Sequence, residues 1–190
     1  MKTIVLWNSD AIAGGATPDL SAGVDSAVLR HGEPLFVDGA TERSLVCPAV
    51  RIGRLGTHIP ERVARSYADA MTVFHLLIPE PPVAAKTAAW GLADRTFAPG
   101  AFVPLAEGVV EICAEKYPIA FGKNCSEGCY STFDTALTAP AIAAISAICT
   151  LRTGDVIVFA DHGLNMGPAM PDHFIDAEID GEQVLHLKIK

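Results

Sequence analysis

The chain is short of basic charge, of aromatics and of long apolar runs. Only 14 of its 190 residues are Lys or Arg, against 22 Asp or Glu, giving a net charge of −8. No Lys/Arg cluster forms the electrostatic footprint of a nucleic-acid binder, so no nucleic-acid partner is expected. The longest apolar run, around 142–151, is too short and too punctuated by Ser and Thr to span a bilayer, which removes a membrane partner as well. There is no GxGxxG, no GxxxxGKS/T, no GxSxG and no HExxH, so none of the chemistries those spacings support is signalled. The five cysteines are scattered with no CxxC, which predicts reduced thiols and a cytoplasmic protein. The start, MKTIVLWNSD, lacks a small-residue cleavage site and reads as a first strand rather than a signal peptide.

Half the residues are apolar and 19% are charged, the balance of a chain that buries a core. The length suits one domain, 1–190, and no composition break marks a linker. A mean hydropathy of +0.32 leaves surplus apolar surface, of the kind that subunit interfaces cover, and points to an oligomer.

Short strand-like pieces dominate: TIVLW (3–7), AVLRHGEPLFV (27–37), LVCPAVRIG (45–53), VVEICAE (109–115), DVIVFA (155–160) and HFIDAEIDGEQVLHLKIK (173–190). The last holds two alternating runs around Asp180-Gly181, a dipeptide suited to a type I′ turn because both central residues need positive φ. Two helices are predicted. One covers 60–74, with Val63, Tyr67, Met71 and Phe74 on one face and His75 at its end as a core or capping histidine. The other starts at Thr138 as N-cap with Pro140 in its first turn, and buries Ile142, Ile145 and Cys149. The fold class expected is α+β, mostly β.

The stretch VIVFADHGLNMGPAMPDHF (156–174) sets Asp161-His162 and Asp172-His173 around one Gly/Pro-rich loop. Four such side chains suggest a metal site, yet neighbours at a strand end point to opposite sides, so at most one of each pair would enter a common site. Spacing alone favours solvated or hydrogen-bonded loop residues. Cys125 and Cys129 are spaced CxxxC, which fits small thiols near a turn better than a redox or zinc pair. Trp7 and Trp90 serve equally well as packing or as ligand-stacking residues.

The order of AVLRHGEPLFVDG, VRIGRLGTHIPERVARSYADAMTV, FVPL, LRTGDVIVF and DGEQVLHLKIK resembles the fumarylacetoacetate hydrolase family, most closely its compact single-domain bacterial members. The resemblance implies a mixed β-roll, a homodimer, and a cleft lined by strand ends and loops. It also implies hydrolysis, decarboxylation or isomerisation of dioxo and related keto acids on Mg²⁺, Mn²⁺ or Ca²⁺ held by three carboxylates. Carried over residue by residue, the scaffold persists and the site does not. The family's E-x-E pair falls on Leu45 and Cys47, and its metal-binding Asp falls near Leu76. Leu has no donor atom, and a thiol is too soft for these cations. The family's Lys lands near Asp94, its R-N-Y-x-x-H segment on residues 8–14 without the His, and its T-G-T-P loop on residues 160–163.

The expectation is therefore a non-catalytic homologue, without cofactor, that binds a small organic acid or serves as a partner subunit. Its ligand cleft would comprise Trp7, Leu45, Cys47, Leu76, Asp161 and His162. The alternative is an active enzyme on keto-acid-like substrates with a rebuilt site. There Asp161, His162 and Asp94, with Glu80 and Cys47, supply acid/base groups or ligands, and Mg²⁺, Mn²⁺ or Ca²⁺ returns as cofactor.

Overall fold

Short apolar runs, most of them ended by Gly, Pro or Asp, give many brief strands and few helices. The structure is a computed structural model and describes residues 1–190 apart from 24, 31, 38–41 and 80–96, and apart from the side chains of 26, 42 and 79. Its strands are β1 (Thr3–Leu6), β2 (Leu20–Gly23), β3 (Glu42–Ile52), β4 (Ala68–Pro79), β5 (Phe97–Pro99), β6 (Val103–Pro104), β7 (Val109–Pro118), β8 (Glu127–Asp134), β9 (Val156–Phe159), β10 (Leu164–Pro168), β11 (His173–Ile179) and β12 (Glu182–Ile189). The helices are α1 (Ser9–Ala13), α2 (Glu61–Ala64) and α3 (Thr138–Ile148). A mixed sheet runs β2-β1-β9-β3-β4-β5, with β10 added to β3 and β6 to β4. An antiparallel sheet runs β12-β11-β7-β8. The pairing of β1 with β9 is parallel. This is the mostly-β α+β class expected.

The sheets share one apolar cluster, in which Val46, Met71 and Val73 of the first meet Ile112, Phe133, Ile175 and Leu187 of the second. Ile142 and Ile145 of α3 join it. The other face of the mixed sheet carries a second cluster, described with the site below. No helix among the described residues is long and apolar enough to cross a membrane. No disulfide joins the five cysteines.

The terminal hairpin forms as the sequence predicts: Asp180 and Gly181 sit at φ 49° and 80° between β11 and β12. Helix α3 also forms, but Thr138 is already helical and Leu137 holds the N-cap position. A 3₁₀ turn (Thr135–Leu137) precedes it, opened by Asp134, whose carboxylate accepts the Ala136 N–H at 2.9 Å. Cys149 lies beyond the helix end and is only half-buried.

Two expectations are corrected. The helix over 60–74 stops at Ala64, passes through a 3₁₀ turn (Arg65–Tyr67) and becomes β4. Residues of β4 are buried on both faces, Thr72, Phe74 and Leu76 on one and Met71, Val73 and His75 on the other. A strand sandwiched this way shows no alternation, and its continuous apolar run mimics a helical stripe. The stretch 27–37 is not a strand either. Its described residues form isolated bridges at Val28 and Leu35 rather than a ladder, because Gly32 turns at φ 84° and Pro34 has no N–H to give.

Candidate functional site

The register of β3 against β4 sets Leu45 opposite Leu76 and Cys47 opposite Phe74. Strand alternation then turns Leu45 and Cys47 to one face of the mixed sheet. There Cys47, Phe74, Leu76, Phe97 and Val158 form the second apolar cluster, with Trp7 and Leu45 packed against it. Cys47 and Leu76 are fully buried, whereas Leu45 and Trp7 are half-buried. The Trp7 indole N–H donates to the Ser21 hydroxyl at 2.9 Å. Burial pushes the Cys47 thiol far up, and the charge of Asp161 adds to that, so it stays a neutral thiol rather than a nucleophile.

Above this cluster the chain leaves β9 through a 3₁₀ turn (Ala160–His162). Gly163 then lies so close to β3 that a Cβ on it would come 2.6 Å from Cys47 Sγ. The turn breaks strand alternation, which corrects the expectation that only one of two neighbours would enter a common site. Asp161 and His162 both reach α1. Asp161 Oδ2 accepts the Ser9 backbone N–H and, at 2.8 Å, the Ser9 hydroxyl. His162 Nε2 lies 3.2 Å from Asp10 Oδ1, and its ring stands edge-on to Phe133 at 5.5 Å. Asp10, Asp161 and His162 each offer a donor atom, and these atoms lie within 4.8 Å of one another. Sequence reasoning missed Asp10. Its signal was the Ser9-Asp10 pair opening a helix, and nothing local ties that pair to residues 152 positions later.

The other candidates lie elsewhere. Asp172 and His173 sit at the start of β11 in the antiparallel sheet, with the His173 imidazole at 2.9 Å from the Pro171 carbonyl. Cys125 is exposed and closes a 3₁₀ turn, while the Cys129 thiol points at the Asn165 carbonyl at 3.8 Å. His75 belongs to β4, not to a helix end. It is fully buried, hydrogen-bonded through Nε2 to the Ser44 hydroxyl, and held neutral by burial, with its pKa lowered to about 3. Asp94, Glu80 and Trp90 lie outside the described residues.

No family model and no curated relative matches the sequence. Solved structures do match. A 5-carboxymethyl-2-hydroxymuconate delta-isomerase from Mycobacterium smegmatis aligns with 99% of this chain and 76% of its own at a TM-score of 0.75 and 17% identity. A fumarylpyruvate hydrolase from Pseudomonas aeruginosa, in complex with Mn²⁺ and pyruvate, aligns with 100% of this chain and 89% of its own at 0.74 and 14% identity. A Yersinia pestis protein described as of the fumarylacetoacetate hydrolase family aligns with 100% and 92% at 0.74 and 17% identity. Together with the mixed sheet, the antiparallel sheet and the order of their strands, these matches show that the chain adopts the fold of the fumarylacetoacetate hydrolase family.

Proposed function

We propose that this chain is a non-catalytic protein on the fumarylacetoacetate hydrolase fold, and that it binds a small organic acid without a cofactor. The observation that carries the reading is the Leu45–Leu76 cross-strand pair with Cys47 buried beside it. The family resemblance puts three cation-binding carboxylates at these positions. In their place stand two side chains without donor atoms and one neutral thiol, a set that does not fit Mg²⁺, Mn²⁺ or Ca²⁺. Without such an ion, nothing at these positions polarises an oxo group or stabilises an enolate. Asp161 and His162 are engaged with Ser9 and Asp10, which suits a fastening role better than acid/base work. The ligand class follows from the fold, which in the Pseudomonas hydrolase holds pyruvate. The reading includes a homodimer in the cytoplasm, supported by exposed apolar side chains such as Val109, Phe121 and Tyr130 and by five unpaired thiols.

A second reading has its own observation. Two carboxylates and an imidazole within 4.8 Å suit a divalent transition metal, and a hydrolase, isomerase or decarboxylase rebuilt around Asp161 and His162 would use it. One experiment separates the two. The purified chain is assayed for metal content, for melting in Mg²⁺, Mn²⁺, Zn²⁺ and chelator, and for turnover of acylpyruvates. The expected result is no stoichiometric metal, unchanged melts and no turnover. A stoichiometric ion whose removal lowers the melt, or turnover lost in D161N and H162Q, sinks the first reading and establishes the second.

A further inference from the structure

A small cavity opens beside β10, the strand that follows the Asp161–His162 turn. It holds about 170 Å³ between β7, β8 and β10, and its walls include Lys116, Glu127, Cys129, Asn165, Met166 and Pro168. Lys116 belongs to β7 and pairs with Ile175 of β11 on one side and Glu127 of β8 on the other. Its side chain is only 9% exposed. The ammonium donates to the Met166 carbonyl at 2.6 Å. Its one counter-ion among the described residues, Glu127, stays 3.7 Å away on a side chain that is 82% exposed.

That is thin compensation for a buried cation. Taking an ammonium out of water is costly, and a loose pair with a solvated carboxylate returns little of that cost. A single carbonyl uses one of three N–H donors. Asn165 adds a second donor group at the same wall. Its Oδ1 accepts the Gly167 N–H at 3.0 Å, and its amide nitrogen has no partner among the described residues. Met166, Pro168 and Cys129 supply apolar surface between the two donors. A charged donor, an amide donor and an apolar wall in a small half-open cavity are complementary to one carboxylate on a short carbon chain.

We infer that this cavity binds the carboxylate of a small organic monoacid, with Lys116 as the anion anchor and Asn165 as the second donor. The inference rests on the proposed function only for the class of ligand; the site itself rests on the buried ammonium. Glu127 sets the selectivity. It guards the rim, so a second carboxylate on the ligand meets like charge there, and monoanions bind better than dianions. The site is separate from the Asp10–Asp161–His162 cluster. None of Asp10, Asp161 and His162 lines the cavity, although Asn165 follows His162 by only three residues and pairs with Leu45 of β3.

The experiment titrates the full chain with propionate, pyruvate and succinate, against chloride at equal ionic strength, by calorimetry and by amide chemical shifts. Wild type is expected to bind propionate and pyruvate saturably, with shifts centred on residues 116, 129 and 165–168, and to bind succinate less well. Lys116→Met should weaken binding about tenfold or more, the scale of one charge-assisted hydrogen bond. Lys116→Arg should recover part of it, and Glu127→Gln should raise succinate affinity toward that of propionate. Should Lys116→Met fail to fold, Asn165→Leu, which removes the amide donor on an exposed residue, should weaken both monoacids. Undiminished binding in either folded variant overturns the site and leaves the organic-acid reading standing. No saturable binding of any acid by wild type overturns both.

Discussion

Asp161 Oδ2 accepts two hydrogen bonds from one residue, the backbone N–H and the hydroxyl of Ser9. A single carboxylate oxygen thus fastens the first turn of α1 to the end of β9. Bonds of this kind to a charged group are each worth about 1.5–3 kcal/mol when both partners are held. Ser9→Ala, which keeps the N–H bond, should lower the unfolding free energy by about 1–2 kcal/mol. Asp161→Ala should lower it by more. Urea melts of the two variants check the order. Equal melts for wild type and Asp161→Ala would show the clasp to be idle, and would return Asp161 to the list of free acid/base groups.

Gly163 is held to glycine by proximity rather than by backbone angle. A methyl group there meets Cys47 Sγ at 2.6 Å and the Ala160 carbonyl oxygen at 3.0 Å. Gly163→Ala should cost about 1–3 kcal/mol, the usual range for overpacking. Adding Cys47→Ala removes the nearer obstacle, so the double variant should be more stable than the sum of the single effects predicts. Additivity in a double-mutant cycle would contradict the contact.

His75 makes stability depend on pH. Burial lowers its pKa from 6.5 to about 3, so the unfolded chain binds a proton that the folded chain refuses. Stability from this residue is therefore complete above about pH 6.5 and declines as pH falls toward 3. His75→Leu should flatten the slope of unfolding free energy between pH 6 and 4, a range set by the reference and buried values of this imidazole. Ser44→Ala should cost about 1–3 kcal/mol at neutral pH, because both ring nitrogens then lack partners in the described core.

Asp176 acts at lower pH. Burial pushes its carboxyl up, but hydrogen bonds from Lys123 at 2.8 Å, His186 at 2.6 Å and Tyr117 at 3.0 Å outweigh that and hold it below the ordinary value. A lowered carboxylate contributes stability that is present above its unfolded pKa, about 3.9, and is lost as pH falls through the folded value. Asp176→Asn should thus be less stable than wild type at neutral pH and should approach it below about pH 4. A gap that stays constant down to pH 2 would mean the network is not electrostatic.

The sequence announced those parts of the molecule that are governed by neighbours in the chain. Asp180-Gly181 specified its turn unaided, and Ile142 and Ile145 marked the buried side of α3. The run 68–79 misled for a physical reason: a strand covered on both faces has no period of two to display, so chance spacings of four and three read as a helix. Asp10 was invisible because its partner is 152 residues away. Lys116 was invisible for a related reason. A lone Lys in CAEKYP looks like a solvated charge until β8 and β10 close over it.

The parallel pairing of β1 with β9 also governs how the chain is made. Thr3 leaves the ribosome ahead of its partner Val156, which follows 153 residues later, a wait of roughly 8–30 s at ordinary rates of synthesis. Until then β1 offers one bare, apolar edge to anything extended nearby. Contacts this distant in sequence also make the closing step slow once the chain is complete. A nascent chain halted before β9 therefore leaves the apolar strand of Ile4, Val5 and Leu6 without its parallel partner.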